Sequence, residues 1–109
     1  MEITSAEKWK EVLDESMKNK GGVICQFTAV WCPPCRMIAP YVQQLAHNFP
    51  STTFVKVDID NGAMTEIVSD HAITSVPTFV GFSKEGKMVG SFTGADKQAL
   101  DTLVATLSE

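Results

Sequence analysis

Trp9, Val12, Leu13 and Met17 recur three or four positions apart, whereas Val23 to Ala29 is almost unbroken apolar chain. The first pattern predicts an amphipathic helix; the second predicts a central strand covered on both faces. Thr4-Ser5-Ala6-Glu7 opens that helix as a capping box, with Thr4 as the cap and Glu7 reaching back, and Gly21-Gly22 ends it. Met1 to Thr4 reads as a short edge strand. A second helix runs from Pro33 to about Asn48, with Met37, Ile38, Tyr41, Val42, Leu45 and Phe49 on its buried side. Pro40 bends it, because its ring removes the N–H that would bond the Arg36 carbonyl. Thr53 to Ile59 alternates Val55, Val57 and Ile59 with Phe54, Lys56 and Asp58, which is strand periodicity. Asp60 or Asn61 then caps a helix to about His71. Thr78–Phe82 and Lys87–Phe92 form a hairpin around Ser83-Lys84-Glu85-Gly86, and Asp96 caps a last helix burying Leu100, Leu103, Val104 and Leu107. Strand and helix alternate first and a hairpin closes the sheet. The expectation is one α/β domain over residues 1–109, three layers deep, with a mixed sheet of four to five strands flanked by four helices.

At the end of the central strand the chain reads Val30-Trp31-Cys32-Pro33-Pro34-Cys35-Arg36. Cys32 and Cys35 stand at i and i+3, on one face of a first helical turn, close enough to join and reopen as a disulfide. With Cys32 as N-cap, Pro33 and Pro34 fill the first two helical positions, where a missing N–H is tolerated. The first backbone donor left to point at the Cys32 sulfur is the Cys35 N–H, and the positive helix end adds to it. Both favour a thiolate at Cys32, which becomes the candidate nucleophile.

Composition narrows the function. A chain of 109 residues with 44% apolar content supports one packed core. Its net charge of -4 and lack of a basic cluster argue against nucleic acid. Met1 to Lys10 has no apolar core, and no apolar run approaches the roughly 20 residues of a membrane span. The expectation is therefore a cytoplasmic protein in a reducing compartment. Three cysteines fit a reactive pair plus one spare better than a secreted disulfide scaffold. Cys25, inside the central strand, reads as a small buried apolar residue. Zinc would need four ligands, and Cys25, His47 and His71 lack the spacing to complete a site with Cys32 and Cys35. Trp9 reads as core, and His71 as a solvated group at a helix C-terminus.

Trp31-Cys32-Pro33-Pro34-Cys35 follows Phe27-Thr28-Ala29, and Pro40, Lys56, Val76-Pro77-Thr78 and Thr93-Gly94-Ala95 come after it in order. This ordered set resembles the thioredoxin family, whose usual motif is Trp-Cys-Gly-Pro-Cys, over essentially the whole chain. The resemblance implies the thioredoxin fold and thiol-disulfide exchange: Cys32 attacks a disulfide in another protein, and Cys35 resolves the mixed disulfide. It implies that Pro77 is a cis-proline beside the dithiol and that the Val76 backbone pairs with an extended substrate segment. Trp31 would form a flat apolar rim, with Gly94 and Ala95 completing the substrate-binding surface. The working group would be the Cys32–Cys35 disulfide with no bound cofactor, and NADPH would act indirectly through a thioredoxin reductase. That reductase and disulfide-containing proteins such as peroxiredoxins are the implied partners of a monomer.

Two positions depart from the family pattern. Gln26 stands where the family has a buried aspartate paired with a lysine at the place of Lys56, and glutamine cannot carry a proton. The expectation is that Cys35 is deprotonated by water or by the Cys32 thiolate, that Lys56 turns to Asp58, and that the Gln26 amide finds partners or water. Pro33 replaces glycine and pre-sets the turn, an effect of about 0.4 to 1 kcal/mol. Arg36 has two readings, a charge that favours the thiolate and a solvated side chain. Two alternatives to a disulfide reductase are a tryparedoxin-like carrier, which shares Trp-Cys-Pro-Pro-Cys on a longer chain, and a non-catalytic protein-binding module of the same fold.

Overall fold

The computed structural model describes residues 1–19 and 21–108, leaving aside the side chains of Met17 and Asn19; the predicted place of Met17 on the first helical stripe thus lies outside the described residues. The elements are helix α1 (Ala6–Asn19), strand β1 (Val23–Thr28), helix α2 (Pro33–Asn48), strand β2 (Thr53–Asp58), a 3-10 turn (Gly62–Met64) running into helix α3 (Thr65–Asp70), strands β3 (Thr78–Phe82) and β4 (Met88–Thr93), and helix α4 (Lys97–Leu107). Strand order is β2-β1-β3-β4, with β1 and β2 parallel and the other neighbours antiparallel. This is the mixed sheet expected from the sequence. The edge segment at the chain start is shorter than a strand: Glu2 bridges Lys56 in parallel, with Ile3 N–H on the Lys56 carbonyl at 2.8 Å and Lys56 N–H on the Met1 carbonyl at 2.9 Å.

Successive β1 side chains fall on opposite faces and so feed two separate cores. Val23, Cys25 and Phe27 pack with Val55, Val57, Val80 and Phe82 against Val12 of α1 and Met64 and Ile67 near α3. Ile24 packs with Phe79 against Ile38 and Leu45 of α2 and Leu100, Leu103 and Val104 of α4. Burying each large aliphatic or aromatic side chain stabilises the fold by about 1.5 to 3 kcal/mol before entropy is counted. Helices α2 and α4 are also tied by the Tyr41 hydroxyl, which donates to Asp101, while the Lys97 ammonium lies 5.2 Å from the Tyr41 ring centre.

Three details differ from the sequence reading, and one choice it left open is decided. Ser5, not Thr4, caps α1, its Oγ accepting the Lys8 N–H at 3.1 Å. Ser, Thr and Asp all make good caps, and the sequence offers two adjacent ones. Of the two cap candidates before α3, Asp60 and Asn61, the structure uses Asn61, which accepts the Ala63 N–H at 3.0 Å. Met37 is 74% exposed instead of lying on the buried side of α2. His71 is not solvated. It packs half-buried against Trp9, Phe27 and Phe82, with ring centres 5.6 to 5.7 Å apart, and its Nδ1 lies 2.8 Å from the Ile67 carbonyl.

Gly21 shows where backbone approach is tightest. A Cβ there would run into the Ser51 carbonyl oxygen, whereas one at Gly62 would meet nothing within 4 Å. Gly21→Ala is expected to destabilise the protein by about 1 to 3 kcal/mol, as overpacking does, and Gly62→Ala to be neutral or to stabilise by about 0.4 to 1 kcal/mol. Urea unfolding of the two variants checks the contrast.

Candidate active site

Strand β1 delivers the chain from a fully buried ladder to the molecular surface within three residues, and the turn that follows is closed by Cys32 N–H on the Ala29 carbonyl at 3.2 Å. Cys32 then caps α2 in an extended conformation, with Pro33 and Pro34 at the first two helical positions. Its Sγ accepts the Cys35 N–H at 3.2 Å, the one first-turn donor the two prolines leave to point at it. Cys32 and Cys35 are disulfide-bonded, with Cα atoms 5.3 Å apart. They cluster with Ala29, and Ile59 and Val76 pack against them. The two cysteines are 2% and 4% exposed, so burial does not tell their roles apart. Their hydrogen bonding differs: among the described residues the Cys32 sulfur accepts a backbone N–H at the start of a helix, where negative charge is favoured, and the Cys35 sulfur accepts none.

Around the dithiol the chain exposes an apolar rim. Val30 and Trp31, which lead directly into Cys32, are 76% and 58% exposed. Trp31 is held in place by its indole Nε1–H, which donates to Asp60 at 2.7 Å, while the Asp60 N–H donates to Asp58 Oδ1 at 2.9 Å. Asp60 was not a site residue on sequence grounds. Nothing in its spacing marks it, because it comes to Trp31 from the far end of β2. Arg36 is exposed, its Nη1–H 3.5 Å from the Val30 carbonyl, which favours the solvated reading.

The segment before β3 forms the other wall. The Val76-Pro77 peptide bond is cis, as the family resemblance implies, and Pro77 is fully buried. Val76 is half-buried against the cysteines and precedes the first ladder residue, Thr78. Gly94 N–H donates to the Pro77 carbonyl at 2.8 Å, and Gly94 has φ +96°, a conformation that favours glycine. Ala95 beside it is exposed. Trp31, Pro33, Pro34, Val76, Pro77, Gly94 and Ala95 thus come together at one end of the sheet around Cys32 and Cys35.

Gln26 and Lys56 lie behind Cys35 instead. They line a cleft of about 300 Å³ with Glu2, Thr28, Cys35, Arg36 and Asp58. Gln26 is 6% exposed, and among the described residues its amide bonds to no protein group and faces this cleft. The expected Lys56–Asp58 ion pair does not form among the described residues. Asp58 turns toward the Asp60 backbone, and Lys56 is exposed to water, where holding an ion pair gains little. Among the described residues no three His, Cys, Asp or Glu side chains converge as metal ligands. His71 and Cys25 sit on the opposite face of the sheet in the Phe27 core.

Comparison with known proteins agrees with this geometry. The family model described as Thioredoxin matches residues 1–109. The chain is 41% identical over 101 residues to a thioredoxin H-type of Ricinus communis, covering 93% of this chain and 83% of that one. It is 42% identical over 101 residues to thioredoxin H1 of Arabidopsis thaliana, covering 93% and 86%. The crystal structure of a poplar wild-type thioredoxin h superposes with a TM-score of 0.90 at 31% identity, over 99% of this chain and 95% of that one.

Burial pushes the Cys25 thiol well above its ordinary range. The folded protein therefore keeps a proton that the unfolded chain releases above about pH 8.5, so stability falls as pH rises beyond that point. For the oxidised protein, where Cys32 and Cys35 do not titrate, the slope should steepen by up to about 1.4 kcal/mol per pH unit relative to Cys25→Ala. Denaturant unfolding of both between about pH 8 and pH 10 measures it; parallel curves would contradict the assignment.

Proposed function

This chain belongs to the thioredoxin family and is a protein-disulfide oxidoreductase, and from that premise we propose how its residues divide the work. Cys32 is the nucleophile and Cys35 the resolving thiol. In the reduced protein the Cys32 thiolate attacks one sulfur of a substrate disulfide, and the other substrate sulfur departs with the electron pair. Cys35 then gives up its proton and attacks Cys32, releasing the second substrate sulfur and closing the Cys32–Cys35 disulfide. The observation that carries this division is the Cys35 N–H aimed at Cys32 Sγ at the start of α2.

Thiolate stabilisation is a small part of the rate. Lowering a cysteine pKa from about 8.5 to about 7 would raise the thiolate fraction at pH 7 roughly sixteenfold. A Brønsted slope near 0.45 takes back about fivefold in nucleophilicity, leaving about threefold. Alignment of three sulfurs has to supply the rest. Trp31 offers a flat apolar surface pinned by Asp60, and Val76, separated from the ladder only by Pro77, offers backbone groups for an extended substrate segment. Gly94 and Ala95 flank that strip, Pro77 shapes it, and Pro33 and Pro34 stiffen the turn that presents Cys32.

In this reading residues 1–109 act as a single cytosolic unit and a monomer in electron transport. A thioredoxin reductase restores the dithiol with electrons from NADPH, and disulfide-bearing proteins such as peroxiredoxins are the substrates. A reducing compartment suits a dithiol that must return to the open form. The chain should accelerate insulin reduction by dithiothreitol, and Cys32→Ser should abolish the acceleration. Cys35→Ser should instead hold substrates as mixed disulfides on Cys32. A binding module would give no acceleration, and its partner would stay bound to Cys32→Ser.

No histidine lies between the cysteines to stabilise the reduced form. The reduction potential is therefore expected nearer the family's reference of about -270 mV than the about -120 mV of a strong oxidant. A glutathione titration reading above about -200 mV would contradict a reductant's role.

A further inference from the structure

The cleft behind Cys35 is built by sheet register. Glu2 pairs with Lys56, and Lys56 pairs with Gln26, so these three side chains project from one row on one face of the sheet. Thr28 and Asp58, also register partners, project from the next matching row on that face. Cys35, Arg36 and Ala39 of α2 form the opposite wall. The charged groups facing Cys35 are thus Glu2, Lys56 and Asp58 from the sheet and Arg36 from the helix. A volume of about 300 Å³ has room for several waters at about 30 Å³ each, and the Gln26 amide can both donate to them and accept from them. Gln26 can order a water chain but cannot take up a proton. The proton acceptors of the cleft are its two carboxylates. Glu2 is exposed, whereas Asp58 is half-buried among the lining residues and its Oδ1 is fixed by the Asp60 N–H at 2.9 Å, with Oδ2 bonded to no protein group among the described residues.

We propose that Asp58 accepts the Cys35 proton through water in this cleft when the mixed disulfide is resolved. The inference rests on Cys35 being the resolving thiol. The S–H proton passes along water to the Asp58 carboxylate, and the freed thiolate forms a bond to Cys32 Sγ. The bond between Cys32 and the substrate breaks, with its electron pair leaving on the substrate sulfur. The two cysteines lose two electrons in all and the substrate disulfide gains them; the proton held on Asp58 returns to water or to the departing thiolate. Asp58 acts through water on a thiol that Gln26 and Ala39 help to wall in.

The test uses the full reduced chain and the symmetrical disulfide of thionitrobenzoate, mixed by stopped flow. Attack by Cys32 releases one coloured thiolate at a rate that rises with reagent concentration; attack by Cys35 releases the second at a rate that does not. Asp58→Asn keeps an oxygen for the Asp60 N–H and is expected to slow the second release about a hundredfold near pH 7, the lower end of what a positioned base contributes. The first release should be unchanged, and the pH profile of the second should move upward. Glu2→Gln should match wild type. Gln26→Asp added to Asp58→Asn should recover at least about tenfold of the second rate, because it returns a proton acceptor to the cleft. An unchanged second release in Asp58→Asn, an equal fall in both releases, a matching loss in Glu2→Gln or no recovery with Gln26→Asp would each overturn the proposal. Persistence of the first release in Cys32→Ser would instead overturn the roles assigned to the two cysteines.

Discussion

A single hydrogen bond organises the active end of this protein: the backbone N–H of Cys35 on the sulfur of Cys32. It exists because Cys32 occupies the N-cap of α2 and because the two intervening prolines have no N–H to compete for that place. The bond sets the two sulfurs apart, although both are almost equally buried. The rest of the fold holds the two ends of that bond still. Strand β1 is locked between β2 and β3, and α2 is clamped through Ile38 and Leu45 onto the sheet and through Tyr41 onto α4.

The two faces of the sheet do different work. The face carrying α1 and α3 is dry, and it holds Cys25, Phe27, His71 and Trp9 in one core with the Cys25 thiol kept protonated. The face carrying α2 is apolar at its α4 side, around Phe79 and Leu103, and polar near β2, where Gln26, Lys56 and Asp58 open a water-accessible cleft onto Cys35. An unpartnered amide in a dry core would cost a few kcal/mol, so Gln26 is tolerable only because its end of the row is wet. Gln26 behind the dithiol thus faces an open cleft, whose carboxylates, Glu2 and Asp58, come from neighbouring segments.

The details that sequence reasoning placed wrongly share one cause. Ser5 and Thr4 are equivalent as caps in isolation, and the choice between them follows from where Ile3 anchors the chain to Lys56. Met37 satisfies helical periodicity as a core residue, yet the helix is rotated so that Ile38 and Cys35 face inward and Met37 is left exposed. His71 sits at a helix end where a charge is favourable, but three aromatic rings from α1, β1 and β3 close around it. In each case local preference left two outcomes nearly equal in energy, and a distant contact chose between them.

The sequence alone determined the order of elements, much of the apolar lining that α1, β1, α2, β2 and α4 bring to the two cores, and the place of the dithiol at a strand-to-helix junction. These follow from periodicity, capping and proline geometry, which act within a few residues. It also marked Gln26 as a polar group needing water or partners. What only the tertiary structure decided is which remote residues meet: Asp60 on Trp31, Gly94 on Pro77, and Glu2 and Asp58 beside Lys56 facing Cys35. Those meetings depend on strand register and on the crossover that lays β1 between β2 and β3, and register pairs residues that no local pattern relates.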